Sequence, residues 1–163
     1  MSGRERVGIS EFRVARAPVV LVTYGLGSCL GIALYDPDSR LGGLAHTLLP
    51  RSRPDIVETR QTKFVDRSIH LMVEELLRLG GEKERITARI VGGANMFEPL
   101  HGSATVGIGE RNAQTARLTL QSLGIELLAE DVGGAHGRTV EFDLASGDVR
   151  VRTVSRPASD LVL

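Results

Sequence analysis

The stretch TYGLGSCLG, residues 23–31, carries the one cysteine of the chain, Cys29, among Gly25, Gly27 and Gly31. A thiol attacks as thiolate, and at an ordinary pKa of about 8.5 only a few per cent is ionised at neutral pH, so chemistry at Cys29 requires a base. Glycines beside a thiol remove side chains that a packed core would not need removed. They let a substrate approach the backbone and let N–H groups around Gly25, Gly27 and Ser28 converge on an oxyanion. The competing reading is a buried thiol acting as a small hydrophobe, the commoner fate of a lone cysteine.

Four histidines could supply the base. His46 lies in the β-prone run LAHTLLP, two predicted strands after the cysteine, where a hydrogen-bonded histidine on a half-buried strand is the alternative. His70 falls beside the apolar stripe of a predicted helix, and His101 and His136 fall in glycine-rich loops. Thr23, six residues before Cys29, could accept a hydrogen bond from an imidazole and fix its tautomer, or could be an ordinary β-former at a strand end. The residues alone therefore give a candidate Cys-His hydrolase or acyl-transfer site. A phosphate cradle is excluded: G-x-G-x-x-G would need glycine at position 30, which is leucine, and a strand rather than a helix follows. No histidine spacing or second cysteine suggests a metal site, and no cofactor is expected.

Those residues need elements to hold them. The chain has 163 residues, 42% hydrophobic and 25% charged, within globular averages and large enough for a substantial core. Twenty basic and twenty acidic residues cancel, so no global field draws nucleic acid or anionic lipid. The N-terminus has no apolar signal region and no run is long enough to span a bilayer, which predicts a cytoplasmic chain without membrane insertion. A single cysteine suits that reducing setting.

Residues 1–17 read as a charged arm. Three strands follow, PVVLVTY, LGIALYDP and LAHTLLP, separated by Gly and Pro punctuation in the manner of an antiparallel meander. Val65, Ile69, Met72, Val73, Leu76 and Leu77 predict a helix over 61–80, stopped by Gly80-Gly81. A strand at ITARIVGG, a loop over 94–109 and a second helix over about 110–123 come next. The strand IELLAEDVGG and a hairpin from RTVEFDL to DVRVRTV complete the pattern, with opposite charges facing across the hairpin. The expectation is one α+β domain over residues 1–163, with a core of about 5–154 and a loose tail over 155–163. Gly92-Gly93 and Gly133-Gly134 could line a cleft or simply shape turns, and Met96 and Phe97 could be apolar contacts for a protein partner, with core packing the commoner use.

The ordered blocks VTYGLGSCLGIALYDP, GGLAHTLLP, TKFVDRSIHLMVEELLRLG, ARIVGGANMF, IGERNAQ and LGIELLAEDVGGAHGRTVEFDLASGDVRV resemble the chemoreceptor glutamine deamidase family, CheD, over roughly residues 5–154. The resemblance implies catalytic roles for Cys29, His46 and Thr23. It implies hydrolysis of glutamine side chains to glutamate on the cytoplasmic helices of bacterial chemoreceptors, and a CheC-type phosphatase as partner. Its implied fold is a single-domain α/β sandwich, mainly antiparallel or mixed sheet with two principal helices. Tyr24 departs from the family pattern, where an aliphatic residue is expected, and TKFVD replaces a tyrosine-containing form. Two other readings remain: a non-catalytic adaptor binding receptor and phosphatase, and a hydrolase of other amides or esters, including receptor glutamate methyl esters.

Overall fold

A computed structural model describes residues 3–55, 57–96, 107–153 and 160–163. Its elements run β1 (Arg4–Arg6), β2 (Glu11–Arg16), β3 (Val20–Leu26), β4 (Leu30–Asp36), β5 (Leu41–Thr47), α1 (Val65–Arg78), β6 (Thr87–Gly92), α2 (Ile108–Leu123), β7 (Glu126–Val132), β8 (Arg138–Asp143), β9 (Val149–Thr153) and β10 (Leu161–Val162). The strands form two mixed five-stranded sheets, ordered β1-β3-β8-β9-β10 and β2-β5-β4-β6-β7. The two sheets face each other and both helices cover the far side of the second, giving the α+β sandwich that the sequence predicts.

This layering explains why β4 and β5 are buried along their whole length. Alternate residues of a strand face opposite ways. Leu30, Ile32 and Leu34 of β4 pack with Ile69, Met72 and Leu120 of the helices. Ala33 and Tyr35 point the other way and pack with Leu21, Phe142 and Leu144 of the first sheet. Two glycines let β5 fit between layers: a Cβ at Gly42 would stand 2.6 Å from Leu144 Cδ2, and one at Gly43 would stand 3.1 Å from Met72 Sδ.

The expected meander is corrected here. β4 and β5 form an antiparallel pair, but β3 belongs to the opposite sheet, paired with β8. The chain crosses between the two sheets at Gly27-Ser28-Cys29. The charged arm is also ordered: β2 alternates, with Phe12 and Val14 packed on the helix-side core and charged residues interleaved, and it pairs with β5 along six residues. The end of the tail expected to be loose is held, because Leu161 and Val162 pair with β9 and the backbone of Leu163 bonds that of Val149. Across the final hairpin, Arg152 stands 3.6 Å from Glu141.

Candidate active site

Thr23 shares the phase of Leu21 on β3, so it points toward the second sheet. His46 shares the phase of Leu44 on β5, so it points toward the first. They meet inside the sandwich, with Thr23 Oγ1 2.8 Å from His46 Nδ1 and neither residue exposed. Thr23 Oγ1 is also 2.8 Å from the Val7 carbonyl, to which it donates. A hydroxyl has one hydrogen, and here it goes to Val7. Toward His46 the oxygen can only accept, so Nδ1 carries the proton and Nε2 carries the lone pair. Nε2 is buried and has no hydrogen-bond partner among the described residues.

Cys29 stands at the sheet crossing, immediately before β4, half-buried and packed at the edge of the inter-sheet core. Gly31 lies directly opposite His46 in the β4–β5 ladder. Cys29, two residues before Gly31, lies just beyond the end of that ladder and packs against the same inter-sheet core, and no hydrogen bond joins its Sγ to His46 Nε2. Gly31 has no side chain because Leu26 closes over it: a Cβ there would stand 3.0 Å from Leu26 Cδ1. Burial pushes the Cys29 thiol up and the His46 imidazole down. Both shifts favour the uncharged forms, and a neutral imidazole is the protonation state a general base requires.

The backbone around the thiol is fixed from three sides. Gly25 adopts φ +71° at the bulge where β3 slips its register against β8, a conformation that other residues reach only with strain. Gly93 N–H donates to Cys29 O at 2.8 Å, and Ala94 N–H to Gly27 O at 2.9 Å. The N–H groups of Ser28 and Cys29 donate to no backbone carbonyl among the described residues, and the Cys29 N–H lies toward its own sulfur. Gly133-Gly134 shape a left-handed turn that ties the strap after β6, through Gly133 N–H to Gly92 O at 3.0 Å and Asn95 N–H to Gly134 O at 2.8 Å. Both glycine pairs thus shape backbone around the site.

A cleft of about 550 Å³ adjoins the crossing, lined by Ser28, Leu48, Leu49, Lys63, Met96 and Ile108 among others. Met96 corrects an expectation: it is 46% exposed instead of core-packed, and a Cβ on Gly27 would lie 3.3 Å from its Cγ. Tyr24 is half exposed at the site's rim, with the Arg6 guanidinium 5.6 Å from its ring centroid. His70 is half-buried on α1, on the helix side of the second sheet, and His136 is exposed in the β7–β8 loop. His101 and Phe97 lie outside the described residues.

One contributor escaped the sequence reading. Asn112 of α2 is fully buried, and its Nδ2 donates to Ser28 O at 3.0 Å and Leu48 O at 3.1 Å. The signal was available, since Asn112 precedes Ala116 and Leu120 by four and eight residues on the apolar stripe, where a polar side chain is out of place.

A family model described as CheD chemotactic sensory transduction matches residues 48–153. Relatives named probable chemoreceptor glutamine deamidase include CheD 2 of Geobacter metallireducens, 55% identical over 95% of this chain and 96% of that one. CheD 3 of Geobacter sulfurreducens is 49% identical over 96% and 98%, and CheD of Desulforamulus reducens is 46% identical over 93% and 92%. The family match begins after His46, whereas the first of these alignments, at 156 residues, leaves no room to omit residues 23–46. Among solved structures, the Bacillus licheniformis hypothetical protein YfiH aligns at 20% identity and a TM-score of 0.48, over 74% of this chain and 49% of that one, too distant to bear on function.

Proposed function

The chain belongs to the CheD family, and from that premise we propose that it is a chemoreceptor glutamine deamidase whose nucleophile is Cys29, whose base is His46 and whose orienting residue is Thr23. The observation that carries the reading is the Thr23–His46 bond, because Thr23's donation to Val7 leaves the lone pair of the buried imidazole on Nε2. His46 Nε2 takes the Cys29 proton as Sγ attacks the glutamine Cδ. The carbonyl oxygen becomes an oxyanion held by the Ser28 and Cys29 N–H groups, beside Gly25 and Gly27. Collapse breaks the C–N bond, and His46 returns the proton to the departing ammonia, leaving a thioester. Water deprotonated by His46 then attacks the thioester, releasing glutamate and restoring the thiol. The sum is one glutamine amide and one water converted to one glutamate and one ammonia, with no cofactor in any step.

The substrate fits the position of the thiol. Cys29 sits at a sheet crossing flanked by glycines, next in sequence to Ser28, which lines the cleft, and the reading has a side chain borne on a receptor helix approach through that cleft. Among the described residues, no helix is long and apolar enough to cross a membrane, and the reading has the chain acting on the cytoplasmic part of its receptor. A CheC-type phosphatase as partner, and residues 1–163 as a single domain, belong to the same reading.

The test is peptide-level mass spectrometry of a chemoreceptor cytoplasmic fragment after incubation with the protein, beside free glutamine and a glutamate methyl ester peptide. Conversion of defined receptor glutamines, with free glutamine untouched, is the expected result. Turnover of free glutamine without receptor conversion would point to a small-molecule amidase. Turnover of the ester alone would point to an esterase, and no turnover of any substrate to an adaptor.

A further inference from the structure

We infer that Asn112 is a positioning residue that sets the relation between nucleophile and base, an inference that rests on the proposed roles of Cys29 and His46. Asn112 lies on the core-facing side of α2, and packing against the sheet there calls for an apolar side chain. Its amide instead spends both hydrogens on two carbonyls, that of Ser28, immediately before the nucleophile, and that of Leu48, two residues after the base. Its Oδ1 is left buried without a hydrogen-bond partner among the described residues. An orphaned buried acceptor is unfavourable and rare in native proteins, so the bridge has a use that helix packing does not supply.

The bridge joins two segments that strand pairing holds less directly. Ser28 precedes the first residue of β4 and Leu48 follows the last of β5. α2 is a firm reference for both, because its start lies flush on the strap that also binds Cys29 O. A Cβ at Gly109 would stand 2.4 Å from Ala94 O and 2.5 Å from Gly93 O, and Gly93 N–H is the group bonded to Cys29 O. One amide thus fixes the thiol's loop and the strand end beyond the imidazole to the same helix. Loss of that amide lets the Cys29–His46 separation widen while both side chains remain present.

The experiment is the rate of Cys29 alkylation by iodoacetamide against pH in the full chain, for wild type, Asn112→Ala, His46→Ala and the double variant, together with kcat and KM on a receptor fragment. Asn112→Ala is expected to slow alkylation at neutral pH about tenfold, the scale of one lost hydrogen bond. Its kcat falls by a similar factor while KM moves less than about twofold. In the His46→Ala background the same substitution should change alkylation little, because the relation it maintains no longer matters. Equal effects in both backgrounds, or wild-type alkylation in Asn112→Ala, would overturn the inference. Asn112→Asp, isosteric but with two acceptors facing two carbonyls, gives a second variant if alanine unfolds the chain. Loss of the fold in both would mark Asn112 as structural and also overturn it. Alkylation needs no receptor, so a failed deamidation assay beside a coupled alkylation cycle would reject the substrate and keep Asn112's role.

Discussion

Thr23→Val replaces a hydroxyl by a methyl of nearly the same volume and leaves two buried groups unpaired, the Val7 carbonyl and His46 Nδ1–H. Each orphan costs about 1–3 kcal/mol. The added apolar methyl offsets part of this, so the expected loss of stability is about 2–4 kcal/mol. The effect on turnover has a separate origin. Without the acceptor at 2.8 Å, Nδ1 loses its hold on the proton, and the imidazole can flip or adopt the tautomer that puts hydrogen on Nε2, facing the thiol. Losing an orienting bond of about 1.4–3 kcal/mol lowers kcat roughly 10- to 100-fold. The assay pairs thermal unfolding with kcat on a receptor fragment, measured well below the lowered midpoint. Thr23→Ser, which keeps the oxygen, should recover most of the turnover. Folded Thr23→Val working within twofold of wild type would show that Thr23 does not set the His46 tautomer.

Other consequences follow from the same geometry. His46 is held below its ordinary pKa, so below about pH 6.5 the unfolded chain takes up a proton that the folded chain resists. Its contribution to stability therefore falls as pH drops through 6.5, and denaturant midpoints at pH 7 and 5.5 should show the decline in wild type and a smaller one in His46→Ala. Cys29 is raised, so alkylation should gain rate at higher pH than a free thiol does, the reverse of a thiolate–imidazolium pair. Burial alone would raise the Asp36 carboxyl, but the Arg85 guanidinium at 2.9 Å through two nitrogens and the Glu82 N–H at 3.0 Å hold it well below the usual carboxylate range. Its contribution is present above the unfolded pKa of about 3.9 and lost as pH falls further. Asp36→Asn should cost about 2–4 kcal/mol in chemical denaturation, less than a fully buried pair because Arg85 is partly solvated. Gly92→Ala would place a Cβ 2.4 Å from Cys29 O at φ +112° and should lower kcat more than tenfold by shifting the loop of the proposed nucleophile.

The sequence made the site's chemistry legible because chemistry depends on residue type: one thiol among glycines, a histidine on a nearby strand, a threonine upstream. It left their meeting undetermined. Local pattern identified β3, β4 and β5 as strands, but which sheet β3 joins depends on pairing with β8, more than a hundred residues away, and no periodicity records that. The expected meander put Thr23 and His46 in one sheet, whereas they face each other from two. β2 was hidden for another reason, since its outward charges masked the alternation of Phe12 and Val14. Asn112 was legible in principle as a polar residue on an apolar stripe, but its two carbonyl partners lie 84 and 64 residues away.

In the proposed mechanism Cys29 becomes covalently attached to the glutamine it converts. The direct measurement is intact-mass spectrometry of the protein after rapid acid quench with a glutamine-bearing receptor peptide, with Cys29→Ala in parallel. The expected result is a transient species with the mass of protein plus peptide less ammonia, located on Cys29 and followed by glutamate product, with neither adduct nor product in the variant. Glutamate formed at the wild-type rate by Cys29→Ala would contradict it.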